Sequence, residues 1–492
     1  MRVAAASLAL VALMIAGAGC RDGNRGLNGA VEARIANVEN GVLPAVVVKD
    51  GAAETFTITE MMARLEIPGV SVAVIDEGRI AWARSYGLAR VGGEPLEEHS
   101  LLQAASLSKP VVAMAALSLV EEGRLDLDTD VNRYLRSWRI PENEFTREEK
   151  VTLRRLLSHT AGVVSFTHDD GAPADQAPTL LQILNGEPPA HETPVTVDLV
   201  PGTQRRYSNE GYAIVQQLIV DVTGRPFPKV MRDRVLDPLG MDQSTFEQPL
   251  SETWLPRAAT GHIGDGHPVE GKGLVYTNMG AGGLWTTPHD LARFVLEIQR
   301  SLAGESNRVL SREMVTLMLD DPELGSGLGL GVAGEGEGRR FGHHGRNYGF
   351  VATFRAQARG GRGVVVMSNS GKAIPLLEGI MLAVAAEYDW PGDVRPREIE
   401  PVHLSEAELR AYTGRYALGG DYFVTIDLAG GRLTITHFEG EDILIPASET
   451  LFYQQLDGIE LTFVKDEQGR VIAISIMDGR LTLTRVEEAG ER

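Results

Sequence analysis

The sequence predicts a mixed α/β chain that ends in a small all-β domain. Helical patterns alternate with short strand-like runs from about residue 55 to residue 390. A stretch rich in proline and charge then reads as a linker, and beyond it the hydrophobic period changes to two, which is typical of antiparallel strands. These observations divide the chain into a signal segment, a tether and lead-in, a large α/β domain, a linker and a β domain: 1–19, 20–54, 55–390, 391–403 and 404–492.

The first twenty residues have the pattern of an export signal. Arg2 precedes an apolar run from Val3 to Ile15, which is too short to cross a bilayer as a helix. Small residues lead from this run to Cys20, and the arrangement resembles a bacterial lipoprotein signal, in which the cysteine is lipidated and becomes the new N-terminus. Cleavage after Ala18 is the alternative interpretation. We therefore expect an exported protein on the periplasmic or cell-surface side, held to a membrane only through a lipid on Cys20.

Composition excludes several classes of protein. With 43% hydrophobic and 23% charged residues among 492, the chain has the make-up of an ordinary globular protein. Its net charge of −20, without a cluster of lysine and arginine, argues against a nucleic-acid partner. Cys20 is the single cysteine, so the chain cannot form an internal disulfide.

A serine and a lysine three residues apart stand at the start of a predicted buried helix. Residues 111–120 are apolar on all sides, and Pro110 is tolerated only near a first helical turn, which places Ser106 at the helix N-terminus. Residues three apart share a helix face, so the Lys109 ammonium can reach the Ser106 hydroxyl. A serine hydroxyl needs such a neighbour to become a nucleophile. Ser108 has no lysine three residues on and is assigned no chemical role.

Two later stretches add groups of the same chemistry. Tyr207 and Asn209 lie in a loop before an apolar helical run, and His343 and Gly345 lie on a strand-like run. The order Ser-x-x-Lys, Tyr-x-Asn and His-x-Gly resembles the serine β-lactamase and penicillin-binding protein family, especially its class C and esterase-like branch. The resemblance covers about residues 60–385. Within that range, four framework stretches also resemble the family: 68–87, 156–163, 237–241 and 281–294.

The resemblance implies a serine β-lactamase/transpeptidase-like fold, in which a helical domain lies beside an α/β domain whose antiparallel sheet is flanked by helices. The active site would lie between the two. By the family's motifs, Ser106 is the acylated nucleophile and Lys109 its activator. Tyr207 would assist as a base, and Asn209 would orient the substrate's amide.

The strand motif implies three further roles. His343 would face the cleft and supply a hydrogen bond to the substrate or to Tyr207, and Gly345 would leave room for a substrate against the strand. The backbone N–H groups of Ser106 and Arg346 would form the oxyanion hole. His343 replaces the lysine usual in β-lactamases, and a neutral imidazole binds a carboxylate less well than a fixed cation does. This difference favours esters or D-peptides over penicillins.

The remaining motifs are interpreted as structural. Residues 329–334 match a nucleotide-binding glycine pattern, but no helix follows, so we predict a hairpin. His344 should point to the opposite face of its strand from His343, and His159 should bond backbone groups. The cluster at 167–171 lacks the spacing of a zinc hydrolase site. No metal and no cofactor is predicted.

The C-terminal segment alternates as antiparallel strands do. Apolar residues alternate over 424–428 and again over 433–435, and glycines at 430–431 turn the chain between them. Two further turns are predicted at 466–470 and 477–480, so the segment should form a small antiparallel sheet or barrel.

We therefore predict an exported serine hydrolase that acts through a Ser106 acyl-enzyme on small esters, amides or D-amino-acid peptides. Its partner would be a small-molecule or peptide substrate. Two alternatives remain open: a penicillin-recognising or peptidoglycan-binding module with little turnover, and a β-lactamase or D-alanyl-D-alanine carboxypeptidase.

Overall fold

A computed structural model describes most of the chain. The structure describes ten separate ranges of residues: 19–51, 55–165, 171–190, 193–264, 266–321, 327–392, 394–419, 422–437, 440–476 and 481–486. The predicted signal segment therefore lies almost wholly outside them. Among the described residues, no helix combines the length and hydrophobicity needed to cross a membrane.

The helices are concentrated before residue 390. In chain order they are α1 (Gly19–Glu39), α2 (Ile58–Arg64), α3 (Ser108–Glu121), α4 (Leu153–Leu157), α5 (Leu180–Asn185), α6 (Asn209–Thr223), α7 (Phe227–Met231), α8 (Asp237–Leu239), α9 (Met279–Gly282), α10 (Pro288–Ala303), α11 (Arg312–Leu319), α12 (Ile374–Glu387) and α13 (Glu406–Arg410).

The strands form one large sheet, one barrel and three short pairs. They are β1 (Val46–Val48), β2 (Gly69–Asp76), β3 (Arg79–Gly87), β4 (Leu102–Gln103), β5 (His262–Ile263), β6 (His267–Pro268), β7 (Trp285–Thr286), β8 (Gly331–Ala333), β9 (Arg340–Asn347), β10 (Phe350–Gln357), β11 (Gly363–Ser368), β12 (Arg397–Ile399), β13 (Gly414–Gly419), β14 (Tyr422–Ala429), β15 (Arg432–His437), β16 (Gly440–Pro446), β17 (Leu451–Gln454), β18 (Glu460–Lys465), β19 (Val471–Ile476) and β20 (Leu481–Val486).

The large sheet is antiparallel and lies between two helical layers. Its strand order is β3-β2-β11-β10-β9-β8. One face packs on α1, α2 and α12, while the other belongs to the core that contains α3, α6 and α10. Because helices cover both faces, the central strands are apolar on both sides, and residues 363–368 of β11 are all buried. The predicted mixed α/β architecture is confirmed.

Helix α3 forms the centre of the helical region. All residues from 108 to 119 are buried, as expected for a helix that is apolar on every side. A short 3-10 turn, Ala105–Leu107, leads into α3 and approaches β9. The candidate site lies where this turn, the start of α6 and β9 meet.

The predicted tether and linker contain regular structure that joins the parts of the chain. Ile35 and Val38 of α1 are buried in the core that includes α12. β1 pairs in parallel with β12, so the lead-in segment and the linker form one small sheet. Val46 of that sheet packs against Ile445 and Tyr453 of the C-terminal domain.

The C-terminal domain is a closed eight-stranded barrel, β13 to β20 in sequence order. Gly430 and Gly431, with φ angles of 58° and 78°, form the predicted two-residue turn between β14 and β15. Such hairpin turns favour glycine because both central residues take positive φ. The interior holds Val424, Ile426 and Leu433 with other apolar side chains. The turn predicted at 477–480 lies outside the described residues.

Candidate active site

Ser106 lies in a backbone turn that several contacts hold in place. The preceding Ala105 has a φ of 50°, an unfavourable conformation for a residue with a side chain. The Ser108 hydroxyl donates to the Ala105 carbonyl over 2.6 Å and accepts from the Leu284 N–H over 3.0 Å. Ser108 thus stabilises the turn, a structural role that its sequence context did not indicate.

The Lys109 side chain is fully buried and makes three hydrogen bonds. Its Nζ lies 2.9 Å from Ser106 Oγ, 2.9 Å from Asn209 Oδ1 and 2.8 Å from the Ala281 carbonyl oxygen. The last two oxygens can only accept, so they fix two N–H groups of the amine. The remaining tetrahedral position points at Ser106 Oγ. It holds an N–H when the lysine is charged and a lone pair when it is neutral, so the same geometry serves to stabilise an alkoxide or to accept the serine proton.

The oxygens that bond Lys109 carry no formal charge in the resting site. The ammonium also lies 4.9 Å from the centre of the Tyr207 ring and 5.6 Å from that of Tyr212. Aromatic faces attract a cation within about 6 Å. The positive charge is therefore stabilised without being neutralised, and it remains available to an anion that forms at Ser106.

Asn209 is oriented by its bond to Lys109. It is the first residue of α6, whose N-cap Ser208 accepts the Gly211 N–H over 3.0 Å. Since Lys109 donates to Oδ1, the Asn209 amide NH2 group faces away from the lysine. It is thus able to donate to a substrate carbonyl, as the sequence interpretation requires.

His159 contacts Tyr207 and both of the residues beside it. The Arg206 N–H donates to the His159 carbonyl over 2.8 Å, and the Ser208 N–H donates to His159 Nδ1 over 3.1 Å. The rings of His159 and Tyr207 stack with their centres 4.3 Å apart. Burial and the nearby Lys109 charge lower the pKa of His159 well below its usual value, which keeps Nδ1 free to accept. The predicted backbone-bonding histidine therefore bonds the residues on both sides of the candidate base.

His343 is a neutral hydrogen-bond acceptor in this arrangement. Its Nδ1 lies 2.7 Å from the His344 carbonyl oxygen, and since a carbonyl only accepts, Nδ1 carries the proton. Burial and the Lys109 charge lower the pKa of His343, so Nε2 keeps its lone pair. The ring centre lies 6.3 Å from that of Tyr207. The hydrogen bond that we expected His343 to make with the substrate or Tyr207 would then be one that Nε2 accepts, and this role stays a prediction.

His344 points to the other face of the strand, as predicted. Its Nδ1 lies 3.0 Å from Thr353 Oγ1 and 3.6 Å from a carboxylate oxygen of Glu378 on α12. It therefore contacts the helix behind the sheet and not the groups around Ser106.

Gly345 is required by the nucleophile turn. A Cβ at this position would lie 2.6 Å from the Ala104 carbonyl oxygen and 2.8 Å from the Ser106 nitrogen, both backbone atoms. The expectation that Gly345 also leaves room for a substrate against the strand stays a prediction. Arg346 follows Gly345 on β9, so its backbone is close to the Ser106 N–H; the oxyanion hole that this pair would form remains a prediction.

Sequence reasoning missed the backbone contributions to the site. The Ala281 carbonyl and the Leu284 N–H are backbone groups that nearly all residue types carry, so no motif could reveal them. Arg205 was missed as well, although it lies only two residues before Tyr207 and lines the cleft beside His343. The glycine-rich stretch 329–334 contains β8, which pairs with β9 as the first strand of the predicted hairpin. The cluster at 167–171 lies, except for its last residue, outside the described residues.

Comparison with known proteins shows the family to which the chain belongs. The family model described as Beta-lactamase matches residues 57–383. Penicillin-binding protein 4 of Amycolatopsis lactamdurans is 27% identical over 363 residues, which cover 68% of this chain and 92% of that protein.

Solved structures share the fold. The octameric penicillin-binding protein homologue from Pyrococcus abyssi has a TM-score of 0.58 at 23% identity. The match covers 87% of this chain and 98% of that chain. The D-amino acid amidase from Ochrobactrum anthropi SV3, complexed with L-phenylalanine amide, has a TM-score of 0.55 at 21% identity and covers 73% and 99%.

Replacing Gly345 with alanine should disrupt catalysis without a change in any reactive group. The added methyl must displace β9 or the Ser106 turn, and a shift of about 1 Å costs about 100-fold in rate. Ester turnover by Gly345→Ala, with thermal melting to verify folding, measures the effect. Gly371→Ala is the matched control, because its Cβ would meet nothing closer than 3.8 Å. Equal activities of the two variants would show that the close approach at Gly345 does not matter.

Proposed function

Because the chain belongs to the β-lactamase family, whose members are serine hydrolases, we propose that it hydrolyses small esters, amides or D-amino-acid peptides through an acyl-enzyme on Ser106. The observation that carries this proposal is the geometry of Lys109. Its third tetrahedral position is directed at the nucleophile, and the other two are fixed by acceptors.

The acylation step follows from the arrangement of groups. Ser106 Oγ forms a bond to the substrate carbonyl carbon while its proton passes to a deprotonated Tyr207, or to Lys109 when that amine is neutral. The oxygen of the tetrahedral adduct becomes negative and accepts hydrogen bonds from the backbone N–H groups of Ser106 and Arg346. When the adduct collapses, the bond to the leaving group breaks and the leaving group takes the proton.

Deacylation repeats these steps with water as the nucleophile. The same bases remove a proton from water, which attacks the acyl carbon, and Ser106 leaves with that proton. Asn209 holds the acyl group's amide, when there is one, through its free NH2 group. Ester bonds break more easily than amides, so a p-nitrophenyl ester is the first substrate to test.

Ser106 and Lys109 should act as one unit. Removing either should abolish nearly as much ester turnover as removing both, because groups that share one step are not additive. We would measure p-nitrophenyl acetate turnover and fluorophosphonate labelling for Ser106→Ala, Lys109→Ala and the double variant, with the exposed Lys465→Ala as control. Additive losses would contradict the shared role. Stable labelling by a fluorescent penicillin without ester turnover would instead favour the penicillin-recognising module.

The lone pair on His343 bears on the choice of substrate. A carboxylate next to the scissile bond meets a neutral side chain at His343, so His343→Lys should raise the rate of acylation by an anionic penicillin about 10-fold or more, the effect of a charged hydrogen bond. Turnover of a neutral ester should fall or stay level. His343→Gln, which keeps a neutral polar side chain, is the control. Equal changes for both substrates in His343→Lys would mean that this residue does not sense substrate charge.

We also propose that the protein is exported, on the sequence of residues 1–20 alone. If Cys20 is lipidated, Cys20→Ser should move the protein from the membrane fraction to the soluble fraction, and globomycin should cause the precursor to accumulate. Normal processing under both treatments would favour cleavage after Ala18 and soluble secretion.

A further inference from the structure

The place of the leaving group follows from the path of its proton. If Ser106 is acylated as proposed above, the leaving group must be protonated as it departs. The groups placed to do this are Lys109 and Tyr207. The leaving group therefore occupies the Tyr207 side of Ser106.

Two adjoining cavities lie on that side. One has a volume of about 290 Å3 and is lined by His159 and the backbone around Leu330; the other has a volume of about 520 Å3 and is lined by Tyr207 and residues of β8 and β9. Arg205 and His343 line both of them. A leaving group that extends into these cavities therefore meets both of these side chains.

The lining of these cavities is positively charged although the protein is acidic. Arg205, Arg340 and Arg355 contribute to it, and no aspartate or glutamate does so among the residues that the structure describes. Arg355 already forms an ion pair with Glu378 at 3.4 Å. A cleft of one sign of charge attracts ligands of the opposite sign.

Arg205 differs from the arginine beside it in having no hydrogen-bond or ion-pair partner among the described residues. The Arg206 guanidinium forms an ion pair with Asp198 and donates to the Val163 and Gly162 carbonyls. The Arg205 guanidinium makes no hydrogen bond or ion pair within the described part of the chain. It is nevertheless close to the site, since it lines both cavities together with His343, and its charge helps to lower the pKa values of His159 and His343.

We propose that Arg205 binds a carboxylate carried by the leaving group, at a distance from the scissile bond that places it beyond His343. This assigns a substrate class to the proposed hydrolase: esters or amides whose leaving group is anionic. The carboxylate accepts hydrogen bonds from the planar guanidinium, a geometry that suits two oxygens at once. The His343 lone pair would repel the same carboxylate, so Arg205 determines where the anion lies.

A pair of esters that differ in one charge tests this role. 3-Acetoxybenzoate and methyl 3-acetoxybenzoate share the acyl group, and only the first has an anionic leaving group. The ratio of their kcat/KM values should fall about 10-fold in Arg205→Gln, the lower end of the range for a charged hydrogen bond because Arg205 is exposed. Arg205→Lys should keep most of the ratio, and added salt should reduce it in the wild type.

The matched control is Arg432→Gln, which removes an equally exposed charge from the distant barrel and should leave the ratio unchanged. A ratio in Arg205→Gln equal to that of the wild type would overturn the proposal. So would an equal fall in the Arg432 variant, because the effect would then arise from net charge.

Failure of the hydrolase proposal would be recognised separately. If the wild type cleaves neither ester, the acyl-enzyme proposal fails, and the anion site is then judged by binding. Calorimetry would compare 3-hydroxybenzoate, the product of the anionic ester, on Ser106→Ala with and without Arg205→Gln. Weaker binding in the double variant supports the Arg205 site, whereas equal affinity or no binding to either protein overturns it.

Discussion

The site is organised by one buried cation, the ammonium group of Lys109. An isolated ammonium taken out of water is destabilised by several kcal/mol, so its surroundings must supply hydrogen bonds. They do so with three oxygens from three elements: the turn before α3, the start of α6 and α9. Satisfying this one group therefore fixes where the three elements lie relative to each other. Because none of the oxygens is formally charged, the ammonium retains its field for the alkoxide or oxyanion that forms at Ser106.

The second constraint is the backbone contact between the helical region and the sheet. Gly345 brings β9 against the Ser106 turn with no side chain between them. Asn347, two residues further on, donates to Gln103 Oε1 over 2.7 Å and to the Gly282 carbonyl over 3.0 Å. These hydrogen bonds of the buried Asn347 amide connect β9 to segments that precede and follow Ser106 in the sequence. The distance from Ser106 to the strand is thus set by rigid backbone and not by exposed side chains, which suits a site that must be preorganised.

Local features of this structure could be predicted from the sequence, and features formed by distant contacts could not. The Ser106 to Lys109 contact lies within one helical turn, and the Gly430–Gly431 hairpin depends on two adjacent residues. By contrast, Ala281 is 172 positions from Lys109 in the sequence, and it contributes a backbone carbonyl, which all residues have. The closure of the β domain was also open, since alternating strands are compatible with a sheet or a barrel. The histidine tautomer at His343 depends on its hydrogen bond to the His344 carbonyl, which residue identity does not specify.

An acidic protein with a cationic cleft raises the question of which charge a substrate senses. The net charge of −20 repels anions, but exposed charges are screened over a Debye length of about 8 Å at physiological ionic strength. An anion already within the cleft beside Tyr207 is therefore governed by the groups that line it. There, Arg205 offers a guanidinium with no hydrogen-bond or ion-pair partner among the described residues, and His343 offers a lone pair. Both line the cavity that we propose as the path of the leaving group. The order of these groups along the path, and not the overall charge of the protein, accounts for both parts of the proposed selectivity: weak recognition of a carboxylate at His343 and recognition of one further out at Arg205.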